Sequence, residues 1–77
     1  MNTKETILDI LEDIKPGVEA EGRTDLATGG VLESFDILTL ISELNAEFGI
    51  MIPLEEVIPD NFDTIEGIAA LVDRLQG

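Results

Sequence analysis

A serine set between acids, in Glu33-Ser34-Phe35-Asp36, brings a hydroxyl to the start of an apolar periodic stretch. Three chemistries compete for Ser34. As an N-cap, its hydroxyl would accept a bond from an unpaired backbone N–H of the helix beginning there. As a nucleophile it would need a base, and the chain has no His to supply one and little room for a substrate pocket. As a site acted on by another enzyme, it could hold a phosphate ester at the positive end of the helix dipole, with Glu33 and Asp36 opposing part of that benefit. Taken alone, the cap is the simplest reading.

Composition removes much other chemistry. The 77 residues include 17 acidic and 4 basic side chains, for a formal net charge of −13, and no His, Cys, Trp or Tyr. A Ser-His-Asp triad, a cysteine nucleophile, a zinc site built on His and Cys and a disulfide framework are excluded. General-base work would fall to carboxylates or to Lys4 and Lys15. No metal site is expected, because a calcium loop starting at Asp60 would need Gly and Glu where Ile65 and Leu71 stand. A chain this acidic repels phosphate backbones and anionic lipid heads, so neither nucleic acid nor membrane insertion is expected, and its partners should present basic surfaces. Nothing near the N-terminus has the basic start and apolar run of an export signal, which makes a cytoplasmic location the expectation.

The elements that must hold Ser34 read as helices. Residues 1–77 make one domain, since a second core has no residues left to build it. Ile7, Ile10, Leu11 and Ile14, at helical spacing, predict a helix over Thr3–Ile14 that Pro16 and Gly17 end. From Lys15 to Glu33 the chain reads as a long Gly-rich loop, with Val18, Leu26, Val31 and Leu32 pinning it to the core. A connection of that length in so small a domain implies either function or a hidden turn of helix. A second helix is expected from about Ser34 to Phe48, with Ile37, Ile41, Leu44 and Phe48 as its apolar stripe and Gly49 as its stop. Pro53 and Pro59 leave about one helical turn from Leu54 to Ile58. The last helix should start near Asp63 or Thr64, where Asp63 and Glu66 have capping-box spacing, and turn Ile65, Ile68, Ala69, Val72 and Leu75 inward. The expected fold class is all-α: a four-helix bundle of three longer helices and one short third helix, with a long loop between the first two.

Two sets of residues fall away from the stripe of the second helix. Asp36, Thr39, Glu43 and Glu47 line one flank, while Phe35 and Leu38 point elsewhere, Phe35 almost opposite the stripe. An apolar pair beside an acidic ridge is the pattern of a docking surface. The alternative is that Phe35 folds back onto the loop and the carboxylates are merely solvated.

Gly30-Val31-Leu32-Glu33-Ser34-Phe35-Asp36 resembles the Gly-x-Leu-Asp-Ser-Leu-Asp signature of the acyl and peptidyl carrier proteins. The likeness continues without gaps through Glu47-Phe48-Gly49-Ile50-Met51-Ile52-Pro53 and reaches Asp63-Thr64-Ile65 and the last helix. It covers about Leu26 to Leu75, and the serine followed at fixed spacing by Glu-Phe-Gly and Ile-Pro is its specific part. The resemblance implies a four-helix carrier in which Ser34 bears a 4′-phosphopantetheine arm and the second helix is read by partner enzymes. Within the family, Thr39, Asn45 and Ala46 stand where fatty-acid carriers often place Glu. Leu32-Glu33-Ser34-Phe35 and Asn61-Phe62-Asp63-Thr64 look more like the D-alanyl carriers.

The resemblance further implies a non-catalytic protein, a monomer, that a phosphopantetheinyl transferase modifies and an adenylating ligase or acyltransferase loads. The arm, taken from coenzyme A, would hold an acyl or aminoacyl group as a thioester for delivery to other enzymes. Glu33, Phe35, Asp36, Leu38, Glu43 and Glu47 would meet those partners, charge steering the encounter and the apolar pair supplying contact. A fatty-acid-synthesis carrier is the alternative within the family. A small acidic interaction or ion-binding module without the arm is the alternative outside it.

Overall fold

A computed structural model describes residues 2–77. They form three α-helices, α1 (Thr3–Ile14), α2 (Ser34–Phe48) and α3 (Ile65–Gln76), with two short 3₁₀ turns between α2 and α3. No strand occurs among the described residues. The helix α1 packs against both α2 and α3, and α3 packs against the second 3₁₀ turn.

Local chemistry explains the bounds of α1. Asn2 caps it, its Oδ1 accepting the Glu5 N–H at 2.9 Å. Ile7, Ile10 and Leu11 are buried, while Ile14 is only partly so. Pro16 then denies the helix a donor, and Gly17 turns away at φ +86 with its N–H on Glu12 Oε1 at 3.0 Å.

The loop from 15 to 33 contains turns but no helix. One of them closes helix-fashion, the Gly29 N–H donating to Asp25 O at 2.7 Å. Leu26 and Leu32 are fully inside, and Val18 and Val31 pack partly against the core, so the expected pins are in place. Ala20 is a further buried anchor that the apolar spacing did not mark.

In α2 the buried line differs from the expected stripe. Leu40 and Leu44 are wholly buried, whereas Ile37, Ile41 and Phe48 sit partly exposed at its side. At about 100° per residue, Leu40 lies about 60° from Ile37. The shift brings the core toward the flank that bears Asp36. Gly49 ends the helix at φ +63, in the left-handed region that glycine adopts without a Cβ penalty.

In place of the short third helix expected over Leu54 to Ile58, the chain makes 3₁₀ turns at Leu54–Glu56 and Pro59–Phe62. Pro59 starts the second turn, a first position where its missing N–H costs nothing. That turn drives Phe62 fully into the core, a role that helical spacing could not show because no long helix contains it. The start of α3 lies where expected, but the capping box of Asp63 and Glu66 does not form. Thr64, not Asp63, is the cap, its Oγ1 accepting the Gly67 N–H at 2.8 Å, and Glu66 instead faces Lys4 at 3.6 Å.

Candidate functional site

Ser34 is the first residue of α2, and the cap is Glu33. The cap reading of Ser34 is therefore corrected: the serine stands one position inside the helix, exposed to solvent. What holds the turn is its acidic neighbours. Asp36 Oδ2 accepts the Glu33 backbone N–H at 3.0 Å, bending the first turn back on itself. The same oxygen accepts the Lys15 ammonium at 2.7 Å, and Glu33 Oε2 lies 3.6 Å from that ammonium. The Lys15 hydrogen bond, followed by the Glu33 N–H, holds the Asp36 carboxyl below its usual pKa. Reciprocally, the Asp36 bond raises Lys15.

The residues read as partner-facing divide into two groups. Glu33, Phe35, Leu38, Glu43 and Glu47 are exposed, Phe35 by 77% and Leu38 by 62%, so Phe35 does not fold back onto the loop. Asp36 is different, because its side chain is only 17% exposed and is engaged inward. Its place on the buried side of α2 follows from the shift of the core line toward Leu40 and Leu44.

Beside Ser34 lies a groove of about 270 Å³ between the first turns of α2 and the 3₁₀ segment. Ile37 and Leu38 form one side of it and Val57, Ile58 and Pro59 the other, with Phe62 also in the lining. Two networks fasten this wall. Asn61 Nδ2 donates to Glu56 O at 2.7 Å and to Glu56 Oε1 at 3.1 Å, and Arg74 of α3 reaches the same Oε1 at 3.0 Å. Opposite, Asp63 ties the long loop to the start of α3: its carboxylate accepts the Thr28 N–H at 2.7 Å and the Ala27 N–H at 2.9 Å. Those bonds, the Thr28 N–H foremost, lower the Asp63 pKa despite partial desolvation.

Asn45 has a structural task as well. Its Oδ1 accepts the Ile52 N–H at 3.0 Å and so closes the turn after α2. The sequence offered Lys15 only as a possible general base, not as the partner of Asp36, 21 residues away, and did not mark the groove wall of Val57, Ile58 and Phe62. Only the apolar character of that wall was visible in the sequence. Among the described residues no acidic cluster has the arrangement of a metal site, and no helix is long and apolar enough to cross a membrane.

The family described as phosphopantetheine attachment site matches residues 5–72, from the first turn of α1 into α3. The chain belongs to that family. Relatives of the carrier extend the match over nearly its whole length. The D-alanyl carrier protein of Enterococcus faecalis is 33% identical over 78 residues, covering 99% of this chain and 100% of its own. That of Streptococcus suis is 36% identical over 76 residues, covering 97% and 96%. D-alanyl carrier protein 1 of Lactiplantibacillus plantarum is 34% identical over 76 residues, covering 97% and 95%. No solved structure matches the carrier significantly. Its covalent 4′-phosphopantetheine supplies the thiol that holds an acyl or aminoacyl group as a thioester, so a chain without His or Cys can serve as a carrier.

Proposed function

We propose that Ser34 is the attachment residue and that the chain is an amino-acid carrier of the D-alanyl type, loaded by a separate adenylating ligase. The observation that supports the attachment is an exposed hydroxyl on the first residue of α2, at the rim of an apolar groove. That setting fits the arm. The N–H groups of the first helical turn lack intrahelical partners and favour a phosphate diester nearby, and the groove offers apolar surface to the chain beyond it. Because Glu33 and Asp36 make the cap, esterifying Ser34 leaves the helix start intact.

The amino-acid reading is supported by the relatives, which are D-alanyl carriers, and by the thin acidity of α2. Asn45, where fatty-acid carriers often have Glu, is occupied in holding Ile52. Partner enzymes with basic surfaces would meet Glu33, Glu43 and Glu47, with Phe35 and Leu38 giving short-range contact. Asp36 serves the same surface from within, by shaping the turn. The chain contributes no catalytic group; it is the substrate of a phosphopantetheinyl transferase and works as a cytoplasmic monomer.

Incubating the protein with coenzyme A and a broad-range transferase, then measuring intact mass, tests the attachment. Wild type should gain the mass of one arm and Ser34→Ala none. An equal gain on Ser34→Ala would refute the assignment, and no gain on wild type would favour an interaction module. Loading the arm-bearing protein with D-alanine or with a fatty acid, each with its ligase and ATP, separates the two carrier types.

A further inference from the structure

We propose that Lys15 is a positioning residue for modification of Ser34: its ammonium, delivered from the end of α1, sets the turn that presents the hydroxyl and offsets the two carboxylates flanking it. The inference rests on Ser34 being the attachment site.

Each of the four basic residues has an acidic neighbour, but their settings differ. Lys4 and Glu66 meet at 3.6 Å with both side chains more than half exposed. Arg23 pairs with Asp25, two residues away, and Arg74 fastens Glu56. Lys15 alone reaches the start of α2, at 2.7 Å from Asp36 Oδ2 and 3.6 Å from Glu33 Oε2. It is also the least exposed of the four, at 34%.

The contact forms a chain of three links. Lys15 is itself anchored, its N–H on Leu11 O at 2.8 Å and its carbonyl accepting the Val18 N–H at 3.0 Å. Its ammonium holds Asp36, and the same Asp36 oxygen holds the backbone N–H of Glu33, the residue that leads into Ser34. Charge-assisted bonds of this kind are about twice as strong as neutral ones.

Electrostatics gives the tie a second task. From Thr24 to Asp73 the sequence has no Lys or Arg, so α2 has no cation of its own. Modification brings the pyrophosphate of coenzyme A to Ser34 between Glu33 and Asp36. The Ser34 Oγ–P bond forms, the P–O bond to adenosine bisphosphate breaks, and the hydroxyl proton leaves to a base of the transferase. Lys15 reduces the field of both carboxylates against the incoming anion, which only folding α1 onto α2 makes available.

The test is the initial rate of arm-sized mass gain with coenzyme A and a broad-range transferase, each variant assayed below its own melting midpoint. Lys15→Met should lower kcat/KM about tenfold, the scale of one hydrogen bond to a charged group, and Lys15→Arg should restore most of it. Lys4→Met, which removes the same charge far from this turn, should match wild type. On an Asp36→Asn background, Lys15→Met should add less than about a further twofold, because one tie has already been cut. A wild-type rate for Lys15→Met, equal losses for Lys4→Met and Lys15→Met, or full additivity with Asp36→Asn would each overturn the proposal. If Lys15→Met does not fold, Lys15→Gln, which removes the same ammonium, should show the tenfold loss, and a wild-type rate there overturns it equally. Wild type gaining no mass is a separate result: it removes the Ser34 assignment itself.

Discussion

The three phenylalanines of this carrier occupy three environments, and truncating each in turn measures how the fold is divided between core and exposed surface. Phe62 is fully buried, Phe48 is partly buried, and Phe35 is 77% exposed. Removing a fully buried Phe side chain costs about 3–5 kcal/mol through lost transfer energy and the cavity left behind. A domain of 77 residues has a total stability of about 4–12 kcal/mol, so Phe62→Ala removes a large share of it. The melting temperature should fall by at least about 12 °C. Phe48→Ala, which loses only part of that burial, should cost about 1–2.5 kcal/mol. Phe35→Ala should stay within about 0.5 kcal/mol of wild type while slowing loading by a partner ligase. Because the chain has no Trp or Tyr, far-ultraviolet circular dichroism during thermal and urea unfolding is the suitable readout. Melting of Phe62→Ala within a few degrees of wild type would refute the placement of that ring beneath the groove. So would a Phe35→Ala variant destabilised as much as Phe62→Ala, since a solvent-facing ring has no cavity to leave.

The remaining predictions address the surface and the fastenings. Replacing Glu43 and Glu47 by Lys should slow loading by a ligase without lowering the melting temperature, and the wild-type rate should fall as salt rises; a rate flat across a salt series would count against electrostatic docking. Acid should loosen the loop, because Asp63 has a folded pKa below its usual 3.8. The stability it contributes is fully present above that value and disappears as pH falls through the lower folded value. Asp63→Asn should therefore flatten the acid limb of a melting-temperature profile, and an unchanged limb would show that the bonds to Thr28 and Ala27 matter little. The tie between Lys15 and Asp36 should fail at both extremes. Its Asp36 part is lost as pH drops below 3.8 and its Lys15 part as pH rises past 10.5 toward the higher folded value. A Lys15→Met variant should lack the alkaline loss and keep only the part of the acid loss that the Glu33 N–H on Asp36 sustains.

Much of the local architecture was legible in the sequence because its signals are local. The apolar period together with Pro16 and Gly17, or with Gly49, located both ends of α1 and of α2. Exposure of Phe35 and Leu38 also followed from helical geometry, since neither lies on the packed side. The caps were harder. Glu33 and Ser34, or Asp63 and Thr64, are adjacent polar residues at a helix start, and choosing between them requires knowing which other donors claim each carboxylate. Asp63 is claimed by Thr28 and Ala27, 35 and 36 residues earlier, and so leaves the capping of α3 to Thr64.

The same distinction runs through the candidate site. By itself the sequence determined an acidic, all-α chain with a serine at the start of a helix, no His or Cys, and the signature of a carrier. Tertiary structure decided that Leu40 and Leu44, rather than Ile37 and Ile41, lie deepest in α2. It also decided that Asp36 turns inward to Lys15 and that Phe62 completes a groove beside Ser34. Periodicity reports which face of a helix is apolar, but not the direction from which its neighbours approach. A cation 21 residues away becomes part of the site only when α1 packs across the start of α2.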